Sequence, residues 1–200
     1  MSWQIDSSFL FLAAILYYLD REGLFLWLVL FCVLHELGHW GGIRLLGGRV
    51  VRLRFSCAGA EMGLSAARPL SPKGMVLAAL AGPGVNLTLA LLTGTLARWG
   101  AGERLYLLAG INLALGGLNM LPIRWLDGGR AVTAALAALG WEDSPLPGAV
   151  SLLTAGAVLG VGVLLLRDSG GRNFSLLLVG SLLLLMTLRE RKKEGDFFEI

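Results

Sequence analysis

The chain has 200 residues, of which 56% are hydrophobic and only 16% are charged, and its mean hydropathy is +0.71. A soluble domain carries about a quarter charged residues, so the composition predicts a polytopic membrane protein. The net charge of +3 and the pI near 9.2 would suggest nucleic-acid binding in a soluble protein. Here the arginines lie in predicted loops, where they orient a membrane protein. We therefore exclude nucleic acid as a partner and expect the lipid bilayer.

About six apolar segments approach the length of roughly twenty residues that a membrane span requires. They lie at approximately residues 3–19, 24–46, 75–97, 105–122, 149–166 and 173–188. The first is the weakest, because its apolar part is short. The sequence thus predicts an all-α polytopic fold, with one transmembrane domain over residues 1–188 and a charged cytoplasmic tail over 189–200.

Residues 47–74, after the second predicted span, differ from the rest of the chain. Residues 47–55 alternate basic and apolar side chains, a pattern typical of a strand, and residues 58–63 are a candidate returning strand. This pattern predicts a small membrane-associated β hairpin, whose edge would be open to an extended peptide. A solvated basic loop that pairs with lipid headgroups explains the segment equally well.

The second predicted span contains the motif His35-Glu36-Leu37-Gly38-His39. On a helix, residues four apart lie on one face, so the two imidazoles can bind one metal ion. Glu36 is then placed to take a proton from a metal-bound water, which is the arrangement of zinc peptidases. A chance match is the alternative, but the chain has only two histidines, and ionisable groups in a membrane helix are costly. We therefore predict a metal site.

A catalytic zinc ion has three protein ligands and one open position, and no third histidine exists. The acidic candidates near the motif helix are Glu61, Asp127 and the pair Glu142 and Asp143. Asp127 is favoured because it follows a span and lies between Pro122 and the pair Gly128 and Gly129, which should break regular helix. An N-cap of a short helix over residues 131–140 explains Asp127 equally well.

Two further polar positions lie within apolar segments. Cys32 precedes His35 by one turn, but a buried apolar role is more common for a cysteine than a fourth-ligand role. Asn86 lies in the third predicted span, after the interruption Gly82-Pro83-Gly84, and is expected to form a hydrogen bond between helices.

Most of the 17 basic residues lie on one side of the membrane if the chain has six spans. That side holds both termini, residues 47–74 and residues 123–148, and the positive-inside rule makes it cytoplasmic. His39 lies about five residues, or roughly 7–8 Å of helix rise, from this end of its span. We therefore expect the site to open toward the cytoplasm.

Taken with the HELGH motif, the run Asn119-x-x-Pro122-x4-Asp127-Gly128 resembles the site-2 protease family of intramembrane zinc metalloproteases. The pattern Ala81-Gly-Pro83 with Asn86 is also similar to the third span of that family. The branch of stage IV sporulation protein FB is the most similar one, through the run at residues 121–129. Two departures are Trp125, where that branch commonly has proline, and the lack of a CBS domain.

The resemblance implies that Asp127 completes a zinc site with His35 and His39, with one zinc ion per chain. Glu36 would deprotonate the bound water and protonate the leaving amine. Asn119 would hold the substrate backbone or donate to the oxyanion.

The resemblance also implies a bacterial inner or cell membrane location and a membrane-tethered substrate. A pro-sigma factor of sporulation is the expected substrate, released to the cytoplasm and regulated by inhibitory membrane proteins. Anti-sigma factors and signal-peptide remnants are alternative substrates for the same chemistry. The alternative of another class is a non-catalytic metal-binding membrane protein, either a carrier or a pseudoprotease scaffold; the intact Glu36 argues against it.

Overall fold

The computed structural model describes residues 2–56, 59–100 and 102–197. The chain divides into two compact units, residues 1–119 and 120–200. The first unit contains β1 (Ser2–Ile5), α1 (Ser7–Leu19), α2 (Phe25–Leu45), β2 (Val50–Ser56), β3 (Gly59–Leu64), α3 (Pro72–Arg98) and α4 (Arg104–Asn119). The second contains α5 (Asp127–Ala138), α6 (Leu146–Asp168) and α7 (Ser175–Phe197). The expectation of one domain over residues 1–188 stays a prediction.

Three helices of the described chain, α2, α3 and α6, are long and apolar enough to cross a membrane. Helix α1 is apolar but has only 13 residues, and α4 has 16. Many large apolar side chains on these helices are exposed, such as Leu26, Leu91 and Leu153, as expected where lipid is the solvent. The helical membrane fold is therefore confirmed, whereas the count of six spans stays a prediction.

The predicted hairpin is confirmed: β2 and β3 pair in antiparallel fashion, with Arg54 opposite Glu61. The predicted start of the returning strand, Ala58, and Cys57 before it lie outside the described residues. A third strand, which the sequence did not reveal, extends the hairpin, since β1 pairs with β2 in parallel. The first predicted span therefore begins too early, because residues 2–5 pair with the sheet and the helix begins only at Ser7.

The loop between α1 and α2 begins with Asp20, whose carboxylate reaches the start of α2. Asp20 accepts hydrogen bonds from the backbone N–H groups of Phe25 (2.8 Å), Leu24 (3.1 Å) and Glu22 (3.3 Å). The bond from Phe25, followed by those from Leu24 and Glu22, lowers the pKa of the Asp20 carboxyl against a smaller opposing effect of desolvation. Asp20 therefore fixes the start of the helix that carries the HELGH motif.

Helix α3 is continuous through Gly82-Pro83-Gly84, where the sequence suggested an interruption. Ser71 caps it by accepting a hydrogen bond from the N–H of Gly74 at 3.1 Å. Helices α2 and α3 pack closely through small residues: a Cβ on Gly38 would lie 2.8 Å from the Ala81 carbonyl oxygen, and one on Gly42 would lie 3.0 Å from the Ala81 Cβ. Close backbone approach of this kind is how membrane helices associate.

The second unit begins with a turn that leads into α5. Helix α4 ends at Asn119, earlier than predicted, because the residue before Pro122 disfavours helical backbone. Helix α5 then begins at Asp127, with Leu126 as its N-cap.

The prediction that Gly128 and Gly129 break the helix is wrong, as is the N-cap alternative for Asp127. Both glycines lie inside α5, where a Cβ would collide with the backbone carbonyls of residues 120–123.

Helices α6 and α7 pack against each other through glycines. A Cβ on Gly162 would lie 2.7 Å from the Leu177 Cα, and one on Gly180 would lie 2.7 Å from the Leu159 Cα. The core beside this contact contains the buried side chains of Ile123, Ala155 and Leu183. Helix α7 continues through the predicted tail to Phe197, so the charged segment is helical as far as it is described.

Candidate metal centre

Helix α2 brings the two histidines of the HELGH motif together. His35 is buried and His39 is half-buried. Their rings meet edge to face, and the two Nε2 atoms lie 3.1 Å apart. This is the geometry expected when residues one turn apart point to the same place.

Helix α3 supplies an acceptor to the other nitrogen of each ring. The Nδ1 atom of His35 lies 2.6 Å from Oδ1 of Asn86, and that of His39 lies 2.8 Å from the Ala78 carbonyl oxygen. Oxygen acceptors require that each Nδ1 carry the hydrogen. Each imidazole therefore directs its Nε2 atom at the same point.

The donor set fits a zinc ion. Two lone pairs that face each other at 3.1 Å repel unless a proton or a cation lies between them. With Zn–N bonds of about 2.0–2.1 Å and tetrahedral angles, two ligand nitrogens lie about 3.3 Å apart. A hydrogen bond from the second ring nitrogen to an oxygen is also the usual support of a zinc-bound histidine.

Glu36, the predicted base, follows His35 on α2 and is half-buried. Cys32 is exposed, so the expectation that it is a buried apolar residue is wrong. Among the predicted acidic candidates, Glu61 lies on β3 and is exposed, and Glu142 and Asp143 are exposed in the loop after α5. Burial therefore sets Asp127 apart from the other candidates.

Asp127 is the first residue of α5 and is only 6% exposed. The guanidinium of Arg130, one turn later, lies 4.0 Å from its Oδ1. The preceding turn is held by the buried Ser151 of α6, whose Oγ accepts from the N–H of Arg124 at 2.9 Å and donates to the Pro147 carbonyl at 2.7 Å. A buried carboxylate whose backbone follows a hydrogen-bonded turn is held in place and is therefore suited to metal ligation.

Asn119, the predicted substrate residue, is the last residue of α4. Its Nδ2 donates to the carbonyl of Leu115 at 3.0 Å. This amide is therefore engaged with its own helix, and its contact with a substrate stays a prediction.

The expected role of Asn86 in bonding between helices is confirmed, but its partner was not foreseen. Asn86 bonds His35 of the HELGH motif and, on its other side, the side chain of Asn112 in α4 at 2.9 Å. The sequence reasoning missed Asn112 altogether. An asparagine in the middle of an apolar segment was the available signal, because unpaired polar groups are costly in lipid.

The chain is similar in sequence and in structure to known membrane peptidases. Residues 93–163 match the model of Peptidase family M50, a stretch that includes Asn119 and Asp127 but not the HELGH motif. The whole chain is similar in structure to the site-2 protease from Methanocaldococcus jannaschii, with a TM-score of 0.60, 22% sequence identity and coverage of 94% of this chain and 89% of that chain. No curated protein sequence matches the chain.

The two similarities cover different parts of the chain. The family match concerns the sequence of 93–163 alone, whereas the structural likeness concerns the fold of nearly the whole chain. The chain is thus a helical membrane protein that shares its fold with a site-2 protease and, over residues 93–163, the sequence pattern of peptidase family M50.

Proposed function

We propose that this protein is an intramembrane zinc metalloprotease. The observation that carries the proposal is the histidine pair of α2, with each Nδ1 held by an oxygen of α3 and the two Nε2 atoms 3.1 Å apart. We propose Asp127 as the third ligand. Its support is its burial and its place in the segment that matches peptidase family M50.

Zinc bound by these residues would supply a Lewis acid that polarises the scissile carbonyl and lowers the pKa of water. Glu36 accepts the proton of the attacking water and transfers it to the nitrogen of the leaving amine, so that the C–N bond breaks without release of a strongly basic amide anion. Asn86 and the Ala78 carbonyl accept the Nδ1 hydrogens of the two histidines, which leaves both Nε2 atoms for the metal. Asn119 positions the substrate backbone.

The substrate is a protein with a transmembrane segment, cleaved in or near that segment. Chemistry within a helical span requires that the span unwind locally, since a helical peptide bond is shielded by its own hydrogen bonds. We propose a membrane-tethered transcription regulator, either a pro-sigma or an anti-sigma factor, as the substrate class. Release would occur on the cytoplasmic side, with both termini of the enzyme on that side of a bacterial membrane. The resemblance of residues 121–129 to the sporulation branch supports this choice.

The test is cleavage of membrane-tethered candidates by co-expressed wild type and Glu36→Gln. We expect cleavage to disappear in the variant, by at least about a hundredfold for loss of a general base, while bound zinc is retained. The matched control is Glu22→Gln, which removes an exposed carboxylate from the loop before the same helix and should cleave normally.

Full cleavage by Glu36→Gln would contradict the mechanism. Zinc retained by a wild-type protein that cleaves none of these candidates would favour the non-catalytic alternative, a metal-binding scaffold or carrier.

A further inference from the structure

Two buried asparagines connect the candidate metal centre to a helix that carries none of its proposed ligands. Asn86 of α3 and Asn112 of α4 are both 0% exposed. Asn112 donates through Nδ2 to the carbonyl of Leu108 at 3.0 Å, and its Oδ1 accepts from Nδ2 of Asn86 at 2.9 Å. Oδ1 of Asn86 then accepts from Nδ1 of His35 at 2.6 Å. A single chain of hydrogen bonds thus runs from α4 through α3 to α2.

The direction of this chain is fixed at its far end. The Leu108 carbonyl only accepts, so the amide nitrogen of Asn112 must face it, and its oxygen must face Asn86. Asn86 must therefore direct its nitrogen toward Asn112, and also toward the Phe31 carbonyl at 3.4 Å. Its oxygen is left for His35. An amide flip at Asn86 would place its oxygen against two other oxygens, those of the Asn112 side chain and the Phe31 carbonyl.

We propose that Asn112 and Asn86 are positioning residues that fix His35 as the Nδ1–H tautomer and hold its Nε2 lone pair on the metal. Neither asparagine touches the metal or the substrate. This inference rests on the proposed metal site but concerns the chain's own support for it. His39 is held differently, by a backbone carbonyl, so the asparagine pair acts on one of the two histidines.

The experiment measures the zinc dissociation constant of the purified full-length protein by chelator competition, together with the absorption spectrum of the Co²⁺-loaded protein. The first variant is Asn112→Ser. A serine hydroxyl can still donate to the Leu108 carbonyl, as Thr88 does to Gly84 at 2.8 Å, but it is too short to reach Asn86. The second is Asn86→Leu, and the third combines both changes. The control is Thr88→Val, which removes an exposed hydroxyl from the same helix, α3.

We expect Asn86→Leu to weaken zinc binding by about 10–100-fold, the usual effect of losing the partner of a ligating histidine. Asn112→Ser should weaken it by a smaller factor and should shift the Co²⁺ bands, although Asn112 does not contact the metal. The double variant should equal Asn86→Leu within about twofold, because Asn112 acts through Asn86. Thr88→Val should match the wild type in both measurements.

Three results would overturn the inference: a wild-type affinity and Co²⁺ spectrum in Asn112→Ser, an unchanged affinity in Asn86→Leu, or additive losses in the double variant. Thermal melting of the metal-free variants separates a folding defect from a metal-site defect, since only the latter leaves the melting temperature unchanged. A wild-type protein that binds no zinc would instead refute the proposed function itself.

Discussion

His39 packs against Gly82, and this contact leaves no room for a side chain on α3. A Cβ at position 82 would lie 2.6 Å from Cδ2 and 2.7 Å from Cε1 of the His39 ring, and closer still to Nε2. Real carbon atoms do not approach so closely, so either the ring or the helix must shift. Glycine at position 82 thus leaves room for the His39 ring in its observed position.

We predict that Gly82→Ala weakens zinc binding by at least about tenfold, an effect comparable with loss of a histidine's support. The matched control is Gly84→Ala, because nothing lies within 4 Å of a Cβ at that position. Both changes add a methyl group to the same helix and gain similar helix propensity, about 1 kcal/mol. Equal zinc affinities in the two variants, measured by chelator competition, would contradict this account of the site.

The role of Glu36 as a base stays a prediction. The sequence did predict that His35 and His39 meet, because HExxH places both histidines on one face of a helix. It did not predict Asn112 or the Ala78 carbonyl as supports, because those contacts depend on how three helices pack. The sequence favoured Asp127 as the third ligand because of the proline and the glycines around it. The structure excludes the competing N-cap role, because α5 begins at Asp127 itself.

Helix α2 depends on Asp20 at its start. The carboxylate accepts three backbone hydrogen bonds, and these bonds lower its pKa in the folded state. A lowered folded-state pKa stabilises the fold at pH values above the unfolded-state pKa, and this contribution disappears as the pH falls through the folded-state pKa.

We predict that Asp20→Asn lowers the melting temperature at neutral pH and that the difference from wild type shrinks as the pH falls below the ordinary Asp value of 3.8. Melting curves across this pH range in detergent provide the measurement. Glu22→Gln is the control, and its difference from wild type should be small at every pH. A deficit in Asp20→Asn that is independent of pH would show that the charge of Asp20 plays no part.

The turn between α4 and α5 depends on Ser151, which is fully buried. Its Oγ accepts a hydrogen bond from the N–H of Arg124 at 2.9 Å. We predict that Ser151→Ala destabilises the protein by about 1 kcal/mol, because the partly buried N–H of Arg124 loses this acceptor. The melting temperature should fall, and zinc affinity should fall with it if the turn positions Asp127. Ser181→Ala is the control, since the Ser181 hydroxyl donates to the Leu177 carbonyl of its own helix. Equal melting temperatures in the two variants would show that the bond between Ser151 and Arg124 does not stabilise the turn.

Among the helices and strands, hydropathy predicted the positions of the main helices, and alternation of basic and apolar residues predicted the hairpin. The parallel pairing of β1 was not predictable, because Ser2–Ile5 is too short to show a period and its partner is fifty residues away. Gly128 and Gly129 were interpreted as helix breakers from propensity alone. In the structure they allow α5 to pack against the turn that precedes it, a tertiary effect that outweighs their propensity.

The proposed zinc site would take its ligands from distant parts of the sequence. The HELGH motif lies in the first compact unit and Asp127 lies in the second. Sequence comparison detected peptidase family M50 only over 93–163, whereas structural comparison extends over 94% of the chain. We propose that His35, His39 and Asp127 together hold one zinc ion.

The most direct test of this claim is the zinc stoichiometry of the purified protein and of single alanine variants of the three ligands. We predict about one zinc ion per wild-type chain, with three protein ligands as in catalytic zinc sites, and loss of tightly bound zinc in His35→Ala, His39→Ala and Asp127→Ala. Glu142→Ala, which removes an exposed carboxylate after α5, should retain full occupancy. Full zinc occupancy at wild-type affinity in Asp127→Ala would contradict the account.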